Sequence, residues 1–162
     1  MPALRLVRPD RETGVRADEH RALRLWLRLL TCSQLIERHG RSRLRSRFRI
    51  TLPRFVLMSQ LERHPEGRKM NELSRRMMVT GGNVTGIVDQ LVKERLVERL
   101  DEPSDRRAWR VRLTRAGDKA FAEMARAHEE WVVALLAGFS RRESEALMQL
   151  LARLKQATLE NS

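Results

Sequence analysis

Apolar positions along this chain recur mostly at helical spacing, and at strand spacing over two short runs. From Asp18 onward, Leu23, Trp26, Leu27 and Leu30 mark one stripe, and Leu25, Leu29, Cys32 and Ile36 a second. A helix apolar on two faces is normally buried on both sides, which predicts a place in a dimer core. Gly40 is expected to weaken or end this helix, ahead of a basic stretch of Arg41, Arg43, Arg45, Arg47 and Arg49. Thr51 is suited to cap the next helix and Pro53 to its first turn, where the missing N–H has no partner to lose. That helix is predicted to about Arg63, with Leu52, Phe55, Val56, Met58 and Leu61 inward.

His64-Pro65-Glu66-Gly67 reads as a turn, followed by a short helix from about Met70 to Met77 with Leu73 and Met77 inward. Val79 to Gly82 is expected to break it, with Thr80 capping a helix whose Val84, Ile87, Val88, Leu91 and Val92 repeat at the helical period. Two helices joined by a tight turn make a helix-turn-helix. Leu96–Leu100 and Trp109–Leu113 alternate as paired strands around a charged turn, Glu102 to Arg107. Thr114 caps a long helix reaching about Ala137, which Gly138 suits as a stop. Ser140-Arg141-Arg142-Glu143 is a capping box, and Leu147, Leu150, Leu151 and Leu154 stripe the last helix.

The fold class expected is mainly α: a winged helix-turn-helix with a two-stranded wing, its N- and C-terminal helices forming a dimerisation region. Residues 1–17 read as a flexible arm, 18–48 as a dimerisation helix and basic segment, 49–114 as the DNA-binding domain, and 115–162 as C-terminal dimerisation helices.

Charge adds a partner class. The chain carries 33 Lys and Arg against 21 Asp and Glu, a formal charge of +12, which favours a polyanion because each neutralised phosphate releases counterions. No apolar run is long enough to span a bilayer, and the Arg- and Pro-rich start lacks a signal-peptide core, so a cytoplasmic protein without membrane contact is expected. Cys32 is the only cysteine, which excludes an internal disulfide. His20, His39, His64 and His128 lack close ligand spacing, so no metal is expected. Neither a phosphate loop, a nucleophile elbow nor a paired-carboxylate constellation is present, which argues against an enzyme and leaves no cofactor implied.

Thr80, Gly81, Gly82, Asn83, Thr85, Gly86, Asp89, Gln90 and Lys93 are left at the start and on the outer face of the second helix. Asn and Gln can pair with adenine edges, Thr can meet a base or a thymine methyl, and the helix start offers free N–H groups to phosphate. In the turn, Arg107 suits a narrow minor groove, beside Arg106, while Asp105 suits holding the hairpin or orienting an arginine. Taken singly, each could be no more than a solvated helix face or a surface ion pair; the two features side by side favour double-stranded DNA as partner.

Residues from about Thr51 to Gly117 resemble the MarR (multiple antibiotic resistance regulator) family of winged-helix repressors. Asn71-Glu72-Leu73-Ser74, Asn83 through Leu91, Leu96-Val97-Glu98-Arg99, Asp105-Arg106-Arg107 and Leu113-Thr114-Arg115-Ala116-Gly117 carry the resemblance. It implies a homodimer joined by its first and last helices, with each recognition helix in one half of a palindromic operator. It also implies a small-molecule effector, often aromatic and anionic, bound between the dimerisation helices and the winged-helix lobe. Trp26, Leu30, His39, Phe48, Phe55 and Met58 are candidate lining residues, though core roles suit each of them, and Arg38 and Arg41 begin an arginine-rich stretch that suits DNA phosphates or plain solvent as well as an anionic effector. The sequence looks similar to regulators of aromatic-acid catabolism that sense aryl-CoA thioesters, whose phosphates would suit such a stretch.

Departures from the family pattern are local. Arg95 stands where glycine is usual, Ser74 replaces a small alanine, and Gly86 and Gln90 occupy positions where basic residues are common. Gly81-Gly82 allows close backbone approach at the cost of rigidity. Some relatives sense peroxide through a first-helix cysteine activated by tyrosine hydroxyls; this chain has Cys32 but no tyrosine, and an inert thiol is expected. The basic charge also suits a sequence-tolerant, chromosome-organising DNA binder without a ligand. A winged helix used only for protein contacts would share the fold but show no salt-dependent DNA binding.

Overall fold

The computed structural model describes residues 21–77, 81–102 and 105–161, excluding the side chains of residues 81, 102 and 105–108. The expected arm (1–17), the start of the first helix at Asp18 and the cap at Thr80 lie outside these residues. Two compact units meet in sequence at Arg54 and Phe55.

The first unit is dominated by α1 (Arg21–Phe48), a single helix of 28 residues. Gly40 does not end it, contrary to expectation. One helical glycine costs only about 1 kcal/mol relative to alanine, and here Gly40 is buried while the Glu37–Arg41 ion pair spans it one turn apart. The helix stops at Phe48 because Arg49 takes a left-handed conformation (φ 55°), its N–H bonding the Arg45 carbonyl at 3.1 Å. The basic stretch is therefore mostly helical, with Arg45 and Arg47 in the last turn, where the helix dipole favours cations. Leu23, Leu25, Trp26, Leu30, Leu35 and Ile36 are exposed along the same helix.

α2 (Leu52–Leu61) begins directly after Thr51. The second unit, from Phe55 on, contains α3 (Met70–Met77), α4 (Gly81–Lys93), α5 (Arg115–Leu136) and α6 (Arg141–Glu160). Its sheet comprises β1 (Arg68–Lys69), β2 (Val97–Glu102) and β3 (Asp105–Leu113), in the antiparallel order β1-β3-β2. The two expected wing strands are present, and β1 is an addition, pairing Arg68 with Val111 and Lys69 with Arg110. The turn at His64–Gly67 makes this pairing possible. Gly67 adopts φ 82°, and its N–H bonds the His64 carbonyl at 2.8 Å, which reverses the chain into β1.

The core draws on α2 to α5 and on β2 and β3, while neither residue of β1 is buried. Leu57, Met58 and Leu61 of α2 are buried with Leu73 of α3, Val84, Val88 and Leu91 of α4, Val97, Val111, and Phe121, Met124 and Trp131 of α5. Each such side chain contributes roughly 1.5–3 kcal/mol when fully buried. Phe55 stacks on Phe121 at 5.4 Å between ring centroids, which joins α2 to α5.

α6 differs. It begins with the expected capping box: Glu143 accepts from the Ser140 N–H at 2.8 Å, and Ser140 accepts from the Glu143 N–H at 3.3 Å. The Ser140 hydrogen bonds hold the Glu143 carboxyl below its ordinary range. Yet α6 buries no residue, and Leu147, Leu150, Leu151 and Leu154 are all exposed. Among the described residues no helix is long and apolar enough to cross a membrane.

Candidate nucleic-acid interface

α4 is sorted cleanly by its own period. Val84, Val88 and Leu91 are fully buried, and Asn83, Thr85, Gly86, Gln90 and Lys93 are exposed, as is Gly82. The expected break extends no further than residue 80, because Gly81 and Gly82 already belong to the helix. A Cβ placed at Gly82 or Gly86 would meet nothing within 4 Å. These glycines are therefore not required by packing, and they leave the helix start bare of side chains.

The far end of α4 closes in a Schellman motif. The Leu96 N–H bonds the Leu91 carbonyl at 2.9 Å and the Arg95 N–H bonds that of Val92 at 2.9 Å. Arg95 sits at φ 58°, the left-handed position where glycine is usual. A non-glycine residue there carries about 1 kcal/mol of strain. The motif turns the chain straight from the helix into β2.

In the wing, Val97 pairs with Leu113, Arg99 with Val111, and Asp101 with Trp109. The register then shifts: Glu102 pairs with Asp105, so one step on β2 answers four on β3. Arg106, Arg107 and Ala108 form the excess, a bulge at the wing tip. Strand backbone thus reaches Asp105, further than the sequence pattern indicated. The side chains of Asp105, Arg106 and Arg107 lie outside those described. The hairpin base is held by Arg112 donating to Glu98 at 2.6 Å and by Arg110 donating to the Gly67 carbonyl at 3.2 Å.

Sequence reasoning named Asp89 and Arg99 separately but did not anticipate that they meet between helix and wing. Asp89 of α4 pairs with Arg99 of β2, and the Arg99 guanidinium lies 5.6 Å from the centre of the Trp109 ring. Strand alternation carried the signal, since Arg99 shares a face with buried Val97. Arg99 itself is exposed, one rung out from that buried residue.

The candidate effector residues fall into two environments. Trp26, Leu30, Arg38, His39 and Arg41 are exposed on α1, with Arg41 paired to Glu37. Phe48 is half-buried, with the Arg47 guanidinium 5.3 Å from its ring centre. Phe55 and Met58 are buried in the second unit. Phe55 also stacks on His128 at 5.0 Å, and His128 on Trp131 at 5.3 Å. Burial pushes the His128 imidazole below its ordinary pKa. Cys32 is exposed. Among the described residues, no group of three His, Cys, Asp or Glu side chains is placed to hold a metal ion.

Comparison with known proteins agrees with this geometry. Residues 50–108 match the MarR family. An uncharacterized HTH-type transcriptional regulator of Bacillus subtilis, YsmB, is 29% identical over 126 residues, covering 75% of this chain and 85% of the relative. The crystal structure of a MarR family transcriptional regulator from Silicibacter pomeroyi is 28% identical with a TM-score of 0.74, covering 88% of this chain and 99% of that one. Sco3205, a MarR family regulator from Streptomyces coelicolor solved in complex with DNA, shares the fold at a TM-score of 0.78 and 21% identity, covering 88% and 91%.

Proposed function

We propose that the protein is a MarR-type homodimeric transcriptional repressor, released from a palindromic operator by a small ligand, a reading supported by the match of residues 50–108 to that family. The observation that carries this reading is α4: a helix with one fully buried face and one bare polar face, set beside an arginine-bearing wing. Asn83, Thr85 and Gln90 read base edges in the major groove, the helix start from Thr80 through Gly81 and Gly82 meets the phosphate backbone with Gly86 on the same outer face, and Arg106 and Arg107 reach the minor groove. Asp105 orients the arginines. Solved relatives in complex with DNA, Sco3205 among them, support this reading.

The homodimer is supported by apolar surface without cover. Leu147, Met148, Leu150, Leu151, Leu154 and Leu159 of α6 are exposed, as are Leu23, Leu25 and Trp26 of α1. Patches of this extent mark an interface in a soluble protein. Two copies related by a two-fold axis would present their α4 helices to successive major grooves. The effector is an aromatic anion, and an aryl-CoA thioester suits the arginines of α1, which supply several cations for phosphates.

Competition binding tests the function. The chain should prefer the intergenic DNA upstream of its own gene over bulk DNA by several orders of magnitude. Arg107→Ala should lose most of that affinity with the fold intact. Equal affinity for bulk and upstream DNA would instead indicate a chromosome-organising binder. Calorimetric titration with aryl-CoA thioesters and with the free acids addresses the effector, and absence of heat from the thioesters rejects that class.

A further inference from the structure

Where the β2–β3 hairpin meets α4, Asp89, Arg99 and Trp109 form a cluster that neither the recognition face nor the wing tip uses. Directly paired residues share one face of a sheet, so Val97, Arg99 and Asp101 lie on the same face as Leu113, Val111 and Trp109. The inner rungs of that face are core, with Val97, Val111 and Leu113 buried. Its outer rung is not: Trp109 is 49% exposed. Arg99 stands between them, paired to Asp89 on one side and stacked against the indole on the other. A large indole left half in water adds little to the hairpin, and Arg99 and Asp101 put charge on the outer part of a face whose inner rungs are apolar. Both choices gain a purpose when a second, anionic surface closes on them.

We propose that Arg99 and Trp109 form a clamp for the DNA backbone, gripping the strand that passes between α4 and the wing. This rests on the DNA-binding function proposed above. Arg99 donates to a phosphate, and the exposed indole packs on the neighbouring deoxyribose. A guanidinium carries five N–H donors, and the bond to Asp89 uses a single terminal nitrogen, so the remaining donors can meet a phosphate without breaking the pair. Asp89 and the indole hold the guanidinium plane before DNA arrives, which reduces the side-chain entropy lost on binding. The cation–π contact strengthens as DNA excludes water from it. Asp89 and Asp101 flank Arg99, and Lys93 is exposed one turn beyond Asp89 on α4, so the polyanion is favoured by the chain as a whole, with its formal charge of +12.

The test begins with a duplex selected by the wild-type chain from a randomised library, its affinity then followed by fluorescence anisotropy across KCl concentrations. Trp109→Ala should weaken binding roughly three- to tenfold without moving the unfolding midpoint, because the ring is half exposed. Trp109→Phe should restore most of the loss. Arg99→Gln should weaken binding and lower the slope of log affinity against log salt by about one. Variants with wild-type affinity and slope would overturn the clamp while leaving DNA binding in place. A loss confined to Arg99→Gln, with a lower unfolding midpoint and an unchanged slope, would make the pair structural and also overturn it. Failure of the wild-type chain to enrich any duplex would remove the proposed function, and the clamp with it.

Discussion

The hydroxyl of Thr114 donates a 2.7 Å hydrogen bond to the carbonyl of Arg95, the residue that ends α4 in a left-handed conformation. The same oxygen accepts from the Gly117 N–H at 3.0 Å and so caps α5. The Thr114 N–H meanwhile bonds the Leu96 carbonyl at 3.0 Å. One residue therefore joins the exit of the recognition helix, the last rung of the wing and the first turn of α5. The position of α4 relative to the wing is set at this junction as much as by the core beneath it.

Gly117 should be the least substitutable glycine at this junction. A Cβ there would lie 1.9 Å from the Leu96 carbonyl oxygen, a backbone atom that cannot step aside. Gly117→Ala is expected to cost roughly 2–4 kcal/mol, and Thr114→Ala about 1 kcal/mol through the lost cap. Urea unfolding of both variants checks the order.

Arg95→Gly should act in the opposite direction. Relief of the left-handed strain is worth about 1 kcal/mol, less the added entropy of glycine in the unfolded chain. A modest net gain in unfolding free energy is expected, readable as a higher urea midpoint. Loss of stability would mean that the Arg95 side chain makes contacts outweighing its backbone strain.

Gly86 lies on the exposed face of α4 with open space around it. Gly86→Ala should raise stability by about 0.5–1 kcal/mol through helix propensity. If DNA approaches the bare backbone closely, the same change should weaken operator binding. Opposite signs in a thermal melt and a gel shift are the expected pair of results.

Stability should fall in mild acid on account of His128. Its folded-state pKa is depressed by burial, whereas the unfolded chain titrates near the ordinary value of about 6.5. The unfolded state thus takes up the proton first, and stability is full above that pH. It declines as pH drops through that value towards the lower folded-state pKa. His128→Gln should flatten the slope of unfolding free energy between neutral pH and mild acid.

Local rules made most of the elements legible. The Met70–Met77 helix, the Thr114 cap, the Ser140–Glu143 box and the buried stripe of α4 depend on neighbours within a turn or two. The left-handed turn at Arg95 was signalled only by the family resemblance, through a position where glycine is usual, and not by the arginine itself. Outer-face residues of the recognition helix followed from the same period that buried Val84, Val88 and Leu91.

Tertiary structure decided what depends on partners distant in sequence. Gly40 stays helical because its own cost is small and the surrounding turns favour the helix, a balance that the residue alone does not reveal. β1 exists because β3 offers it an open edge, and two residues carry too little pattern to announce a strand. Arg99 remains at the surface, and only the fold puts it against Asp89 of α4, while Gly117 reads as an ordinary glycine until Leu96 is brought against it. The sequence by itself determined the helices, their caps and the polar face offered to a partner, since these are short-range choices of backbone and solvent. Only the tertiary structure decided which charge meets which and where the backbone leaves no room, since those depend on long-range closure of the chain.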